Sequence, residues 1–176
     1  HPDDVELSCG GTLALHKSLG YSFGILDLTE GELGTRGNAE QRKKEAFRAA
    51  EILGAEFRHI LNIGDGFFQH EENNLKEIIR VIRACRPRIV FANALSDRHP
   101  DHGRAAKLVN DACFLSGLRK VNTVYNNVSQ ESWRPEVLYH YIQDHYLKPD
   151  LVVDISGFLD KKMESIMAFE SQFYKE

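Results

Sequence analysis

The stretch Arg88-Ile89-Val90-Phe91-Ala92-Asn93 (RIVFAN), followed by Asp97-Arg98-His99-Pro100-Asp101-His102-Gly103 (DRHPDHG), decides the fold. The first six residues have the length and apolar centre of a buried strand. The polar cluster comes directly after it, and residues 101–115 are predicted to be a helix. Strand, polar cluster and helix in this order are typical of a βαβ unit.

The same alternation continues along the rest of the chain. Helices are predicted at 13–19, 39–53, around 75–82, 101–115 and from 158 to about 173, and strands at 22–28, 57–61, 88–93, 137–142 and 151–155. This pattern predicts an α/β fold with a mostly parallel sheet and helices on both faces. Without repeats or linkers, residues 1–176 are expected to form one domain. A strand would be expected before His1, so the opening strand is absent from this sequence.

A second polar cluster, His1-Pro2-Asp3-Asp4, opens the chain. Loops that follow parallel strands meet at one edge of a sheet, so we expect the two clusters to form a split active site. His1 and Asp4 are spaced to reach one zinc ion, and the third ligand would be His99, Asp101 or His102. Asp3 lies beside these ligands and is the natural general base for a zinc-bound water. An imidazole left over from the second cluster could be held by Asp101, protonated, and aimed at a developing oxyanion.

Composition excludes some classes of protein. The 176 residues carry a net charge of -4, which argues against a nucleic-acid partner. No apolar run is long enough to span a membrane. Three separated cysteines without a CxxC pair favour a reducing, cytoplasmic setting.

Other interpretations of these motifs stay open at this point. Either His/Asp cluster alone could be only a turn or a helix cap. Gly10-Gly11-Thr12 could cradle a phosphate before a helix, although tight packing is the simpler role. Arg36 lies between glycines in the loop 30–37 and is suited to bind a carboxylate or phosphate, or is only a solvated cation; Arg98 has the same ambiguity.

The paired motifs HPDD (1–4) and HPDH (99–102) resemble the PIG-L or LmbE-like zinc deacetylases, which are Rossmann-like enzymes. Longer stretches, among them DLTEGELGTRG (27–37) and NALSDRHPDHGRAA (93–106), resemble the bacillithiol-biosynthesis branch. The resemblance implies that His1, Asp4 and His102 bind Zn²⁺, with Fe²⁺ as another candidate, and that Asp3, His99 and Asp101 are catalytic. It also implies that Arg36 and Arg98 bind substrate.

By the same resemblance, the substrate is a small amino-sugar conjugate, N-acetylglucosaminyl malate, and the chain assembles as a trimer or hexamer. Three alternatives remain. One is a deacetylase of a mycothiol-type or chitooligosaccharide substrate, another is a non-catalytic Rossmann-like nucleotide-binding module, and the third is a catalytically inactive metal-binding or assembly protein.

Overall fold

The computed structural model describes residues 1–173, in which helices and strands alternate. The helices are α1 (Asp4–Ser18), α2 (Ala39–Leu53), α3 (Glu72–Cys85), α4 (Pro100–Ser116), α5 (Leu159–Met167) and α6 (Glu170–Phe173). The strands are β1 (Gly24–Asp27), β2 (Phe57–Ile60), β3 (Ile89–Ala92), β4 (Val124–Tyr125), β5 (Val128–Ser129) and β6 (Val137–His140). None of the helices in this range has both the length and the apolar composition that crossing a bilayer requires.

Strand pairing confirms the parallel arrangement that the alternation predicts. β1 pairs with β2 in parallel, with Gly24 opposite Phe57. β3 pairs with β6 in parallel, with Ile89 opposite Val137. The intervening helices α2 and α4 make these connections long enough for parallel pairing.

A short antiparallel hairpin, β4–β5, was not predicted from the sequence. Its turn residues Asn126 and Asn127 both have positive φ, 48° and 61°. This conformation is that of the tight turns that fit the twist of a hairpin, and asparagine tolerates it better than most residues. The Asn126-Asn127 pair is the sequence feature from which this turn could have been predicted.

The chain divides into two compact units. The first consists of His1–Gly66 together with the chain from Leu147 onward, and the second of Phe67–Tyr146. In the first unit, α5 packs against α1 and α2. In the second, α3 packs against α4. That residues 1–176 form one domain stays a prediction.

Helix α1 begins earlier than the sequence predicted. It starts at Asp4, so Gly10 and Gly11 lie inside the helix and not before it. A Cβ on Gly11 would lie 2.5 Å from the Ile155 side chain, so this glycine serves close packing. The idea that these glycines cradle a phosphate is wrong, because only the first turn of a helix has N–H groups to spare.

Two predictions for the C-terminal part of the first unit are also wrong. Residues 151–155 form no strand. The single helix predicted from residue 158 is a 3-10 turn (Ser156–Phe158) followed by α5 and α6. The helix predicted from residue 158 was expected to bury Leu159, Met163, Ile166 and Met167. Ile166 is buried as predicted, but Leu159, Met163 and Met167 are 52%, 46% and 36% exposed, and Phe169 is the residue that enters the core.

The cysteines offer a test of this fold. Burial raises the pKa of all three thiols, to about 12 for Cys9 and about 11 for Cys113, but only Cys85 is exposed. Thiolates are the reactive form, so we expect a maleimide at pH 8 to label Cys85 alone in the folded protein. Mass spectrometry should show one adduct before and three after unfolding in urea. Rapid labelling of Cys9 in the folded protein would contradict the packing of α1.

Candidate functional site

The first His/Asp cluster forms the entry to α1. Asp3 precedes the helix with φ 109° and ψ −26°, a backbone conformation that aspartate and asparagine adopt more readily than most residues. Its carbonyl accepts from the Leu7 N–H at 3.0 Å, the first bond of the helix. The Asp3 side chain makes no cap hydrogen bond to the helix. The Asp3 carboxylate therefore does not act as the cap of this helix.

Arg42 on α2 holds this turn in place. Its Nη2 donates to the Pro2 carbonyl at 2.9 Å and lies 3.4 Å from the Asp3 carboxylate. Its Nη1 donates to the Gly31 carbonyl at 2.8 Å, at the start of the loop that carries Arg36. The buried guanidinium thus connects the HPDD turn with that loop. The sequence analysis missed Arg42, which has the spacing of an ordinary helix surface residue.

Asp65 is a second residue that the sequence analysis missed. Its Oδ1 is 2.9 Å from His1 Nε2, and its Oδ2 accepts from the Leu33 N–H at 2.9 Å. A carboxylate that fixes one imidazole nitrogen leaves the lone pair on the other, which is the arrangement found around metal-binding histidines. The sequence feature that could have indicated Asp65 is its place between two glycines, Gly64 and Gly66. Both glycines have positive φ in the structure.

The electrostatics of this cluster favour proton uptake at Asp3. Burial, reinforced by the neighbouring Asp4 carboxylate, raises the pKa of Asp3 to about 7, while Arg42 opposes the shift. A carboxylate with a pKa near the working pH is suited to accept and return a proton.

The second cluster begins α4 in the other unit. His99 is the N-cap, and its Nδ1 accepts from the Asp101 N–H at 3.3 Å. A neutral ring that accepts at Nδ1 carries its proton on Nε2 and can donate from there. The Asp101 carboxylate is buried and accepts from Arg104 Nη1 at 2.9 Å. His99 and His102 lie one turn apart, with their rings stacked 5.1 Å between centroids.

His102 is held by a carboxylate in the same way as His1. Its Nδ1 is 2.5 Å from Asp97 Oδ2. Gln143 Nε2 lies 3.3 Å from His102 Nε2, while Gln143 Oε1 accepts from Asn93 Nδ2 and the Ala94 N–H, both at 3.1 Å. Because the amide oxygen is occupied by two donors, an N–H of Gln143 faces His102, whose Nε2 must then carry the lone pair. This tautomer is the one that binds a metal through Nε2.

Asp97 is kept ionised. Burial of its carboxyl acts to raise the pKa, but hydrogen bonds from the His145 N–H and the His102 ring outweigh it and lower the pKa to about 2. The His145 bond to Oδ1 is 2.8 Å long. The sequence analysis placed Asp97 inside the motif but gave it no role.

The two arginines predicted to bind substrate are exposed. Arg36 Nη1 donates to the Gln172 carbonyl at 2.9 Å. Arg98 Nε donates to the Asp144 carboxylate at 3.2 Å, and the side chains of this second pair are both more than half exposed. The assignment of the two arginines to substrate stays a prediction.

The structure therefore groups the predicted site residues by unit. His1, Asp3, Asp4 and Arg36 belong to the first unit, and Arg98, His99, Asp101 and His102 to the second. His1 and His102 each have a carboxylate oxygen within hydrogen-bond distance of one ring nitrogen, a partner that metal-binding histidines usually have. The roles of the eight residues stay predictions.

Comparison with known proteins gives a family match and several relatives. The family model described as PIG-L: GlcNAc-PI de-N-acetylase matches residues 1–113, which include both clusters. Diacetylchitobiose deacetylase of Thermococcus kodakarensis is 32% identical over 183 residues, covering 98% of this chain and 67% of that protein. 4-Oxalmesaconate hydratase of Pseudomonas putida is 27% identical, covering 98% and 71%. Probable N-acetyl-alpha-D-glucosaminyl L-malate deacetylase 2 of Bacillus cereus is 27% identical, covering 98% and 80%.

Among solved structures, the conserved protein TT1542 from Thermus thermophilus superposes with a TM-score of 0.90. It is 43% identical and the match covers 98% of this chain and 76% of that one. This agreement confirms the α/β fold class that the sequence predicted.

Proposed function

Because the chain belongs to the PIG-L family of deacetylases, we propose that it is a zinc-dependent hydrolase that removes the acetyl group from an N-acetylglucosaminyl conjugate. Membership makes the protein a deacetylase-family enzyme; the metal and the substrate are our proposal. The observation that carries the proposal is the pair of carboxylate-held histidines, His1 with Asp65 and His102 with Asp97. A purely structural turn or cap would not require either ring to be fixed in a metal-binding tautomer.

We propose His1, Asp4 and His102 as the metal ligands. Two imidazoles and one carboxylate leave a position open for water, as catalytic zinc sites do. A bound zinc ion would polarise the acetamide carbonyl and lower the pKa of a water molecule. Ferrous iron also suits this donor set, so the metal has to be identified by elemental analysis.

The protein's own residues then carry the proton transfers. Asp3 removes a proton from the attacking water, whose oxygen forms a bond to the acetyl carbon. His99 donates from Nε2 to the developing oxyanion, and Asp101 fixes that ring through its backbone N–H. The C–N bond breaks as Asp3 returns that proton to the sugar nitrogen, which gives acetate and a free amine.

For the substrate we propose N-acetylglucosaminyl malate. The malyl group has two carboxylates, and Arg36 and Arg98 are exposed guanidinium groups of the kind that bind them bidentately. We therefore expect Arg36→Ala to lower kcat/KM for the malyl conjugate by about 10- to 100-fold, the loss expected for a charge-assisted hydrogen bond. Activity on N-acetylglucosamine itself, which has no carboxylate, should change little. Steady-state kinetics on the two substrates measure the difference.

Arg48→Ala is the matched control for this experiment. Arg48 is an exposed arginine of the same unit, on α2, with only a weak contact to Glu170 at 3.4 Å. The substitution Arg48→Ala should leave kcat/KM unchanged for both substrates. Equal losses on both substrates in Arg36→Ala would remove the proposed carboxylate contact.

A chitooligosaccharide is the next candidate substrate, because one relative is named a diacetylchitobiose deacetylase. A mycothiol-type inositol glycoside is a further candidate substrate. Hydration is an alternative reaction, because another relative is named a 4-oxalmesaconate hydratase. Acetate release distinguishes hydrolysis from hydration directly. The nucleotide-binding alternative has lost its phosphate site, since Gly10 and Gly11 are inside α1.

The decisive test is acetate release from the malyl conjugate, diacetylchitobiose and the inositol glycoside, with metal content measured on the same sample. We expect stoichiometric zinc, the fastest turnover on the malyl conjugate, and loss of activity on chelation that zinc restores. Metal-free protein with full activity would contradict the proposed mechanism. A cytoplasmic location and a trimer or hexamer stay predictions.

A further inference from the structure

We propose that Gln172 is a positioning residue that holds the Arg36 loop, residues 29–38, in the shape that presents Arg36 to a substrate carboxylate. This inference rests on the proposed function. It adds a specificity role for the C-terminal helix α6, to which the sequence analysis assigned none.

Two hydrogen bonds in opposite directions connect Arg36 and Gln172. The Arg36 side chain donates from Nη1 to the Gln172 carbonyl at 2.9 Å. The Gln172 side chain donates from Nε2 to the Arg36 carbonyl at 2.8 Å. Together they fix both the main chain of the loop at this position and the direction of the guanidinium.

Helix α6 is itself anchored to α2. Ser171 donates its N–H to Glu45 Oε1 at 2.8 Å and its Oγ to Glu45 Oε2 at 2.7 Å. Glu45 is buried, and Phe169, just before α6, is fully buried against Ala46 and Ala49. Gln172 therefore projects from a segment that the core holds in place.

The loop approaches this segment closely. Gly37 has φ 69°, and a Cβ there would lie 2.8 Å from Ser171 Oγ. Only glycine fits both the conformation and the distance. Gly37 therefore allows the loop to lie directly against Ser171 of α6.

The contacts leave Arg36 able to bind an anion. A guanidinium has five N–H donors, and only Nη1 has a partner in residues 1–173. That partner is a neutral carbonyl, and no carboxylate in residues 1–173 forms an ion pair with this guanidinium. The remaining Nε and Nη2 edge matches a carboxylate in a bidentate geometry. Holding the side chain in advance reduces the entropy lost on binding.

The test is Gln172→Ala, which removes the side-chain bond but keeps the main-chain carbonyl. We expect KM for the malyl conjugate to rise about 3- to 10-fold, the range for freeing one long side chain, with kcat unchanged. Kinetics on N-acetylglucosamine should not change. Amide hydrogen exchange in residues 30–37 should become faster, which is a readout independent of turnover.

Two comparisons make the result specific. Gln130→Ala removes a similar bond, from Gln130 Nε2 to the Arg80 carbonyl at 2.9 Å in the other unit, and should leave both substrates unaffected. In an Arg36→Ala background, Gln172→Ala should have no further effect on KM.

Equal losses on both substrates, or an unchanged KM with unchanged exchange, would overturn the proposed role of Gln172. If the wild-type protein releases no acetate from any conjugate, the proposed function fails instead, and the exchange experiment still reports on the loop.

Discussion

Asp3→Asn is expected to lower kcat by about 100- to 10,000-fold, the usual contribution of a general base, while the metal content stays unchanged. Asparagine has the same shape as aspartate but cannot accept the proton of water. It also tolerates the positive φ of this position, so the turn before α1 should persist. Alanine would be a poorer choice, because strain from the backbone would be mixed with the loss of the base.

The measurement is turnover of the malyl conjugate together with zinc per chain. Asp160→Asn, an exposed aspartate at the start of α5, serves as the control and should behave like the wild-type protein. Full activity in Asp3→Asn would show that another group takes the proton. Loss of zinc would instead make Asp3 a ligand, which would revise the proposed set of His1, Asp4 and His102.

Local sequence signals predicted most of the secondary structure. Helix α2 has the predicted bounds, Ala39–Leu53, because Asn38 caps its start and Gly54, with φ 79°, ends it. Both parallel strand pairs fall within predicted strands. These elements have strong signals at both ends.

The errors arose where tertiary packing overrode local signals. Gly10-Gly11 suggested a loop before a helix, yet both residues lie inside α1, where Gly11 leaves room for the Ile155 side chain. Residues 151–155 have the composition of a strand, but composition alone does not supply a neighbouring strand to pair with. The apolar periodicity of residues 159–167 did not reveal that Phe169 would be the residue that enters the core.

For the candidate site, sequence predicted the two motifs but not their supporting residues. His1 and His102 are recognisable because they lie in short clusters of metal-binding side chains. Asp65 and Arg42 reach the first cluster from 64 and 39 residues away respectively, measured from His1 and Asp3. Only the fold brings such partners together, so no spacing rule could have identified them.

Arg58→Met is expected to destabilise the protein by about 3–5 kcal/mol, the usual penalty for breaking a buried ion pair. Arg58 donates to Asp27 at 2.6 and 2.9 Å and to Glu6 at 2.5 Å, and all three side chains are almost fully buried. These bonds connect α1, β1 and β2. Without the guanidinium, the two buried carboxylates would lose the cation that lies between them.

The arrangement already carries a desolvation cost. Burial raises the pKa of Glu6 even though Arg58 opposes the shift, and Glu6 Oε2 has no hydrogen-bond partner among the described residues. Methionine fills a similar volume but supplies no charge, so the loss measured by urea unfolding would report mainly the electrostatic part.

Arg48→Met provides the matched comparison, because Arg48 and Glu170 form an exposed pair that should contribute about 0–1 kcal/mol. Adding Glu6→Gln and Asp27→Asn to Arg58→Met should recover part of the lost stability, since neutral amides remove the unpaired charges. A loss below about 1 kcal/mol in Arg58→Met would mean that the carboxylates are solvated or protonated in the folded protein. Because Glu6 follows Asp4 by two residues and Asp27 ends β1, the network joins the first turn of α1, next to the first His/Asp cluster, to the sheet.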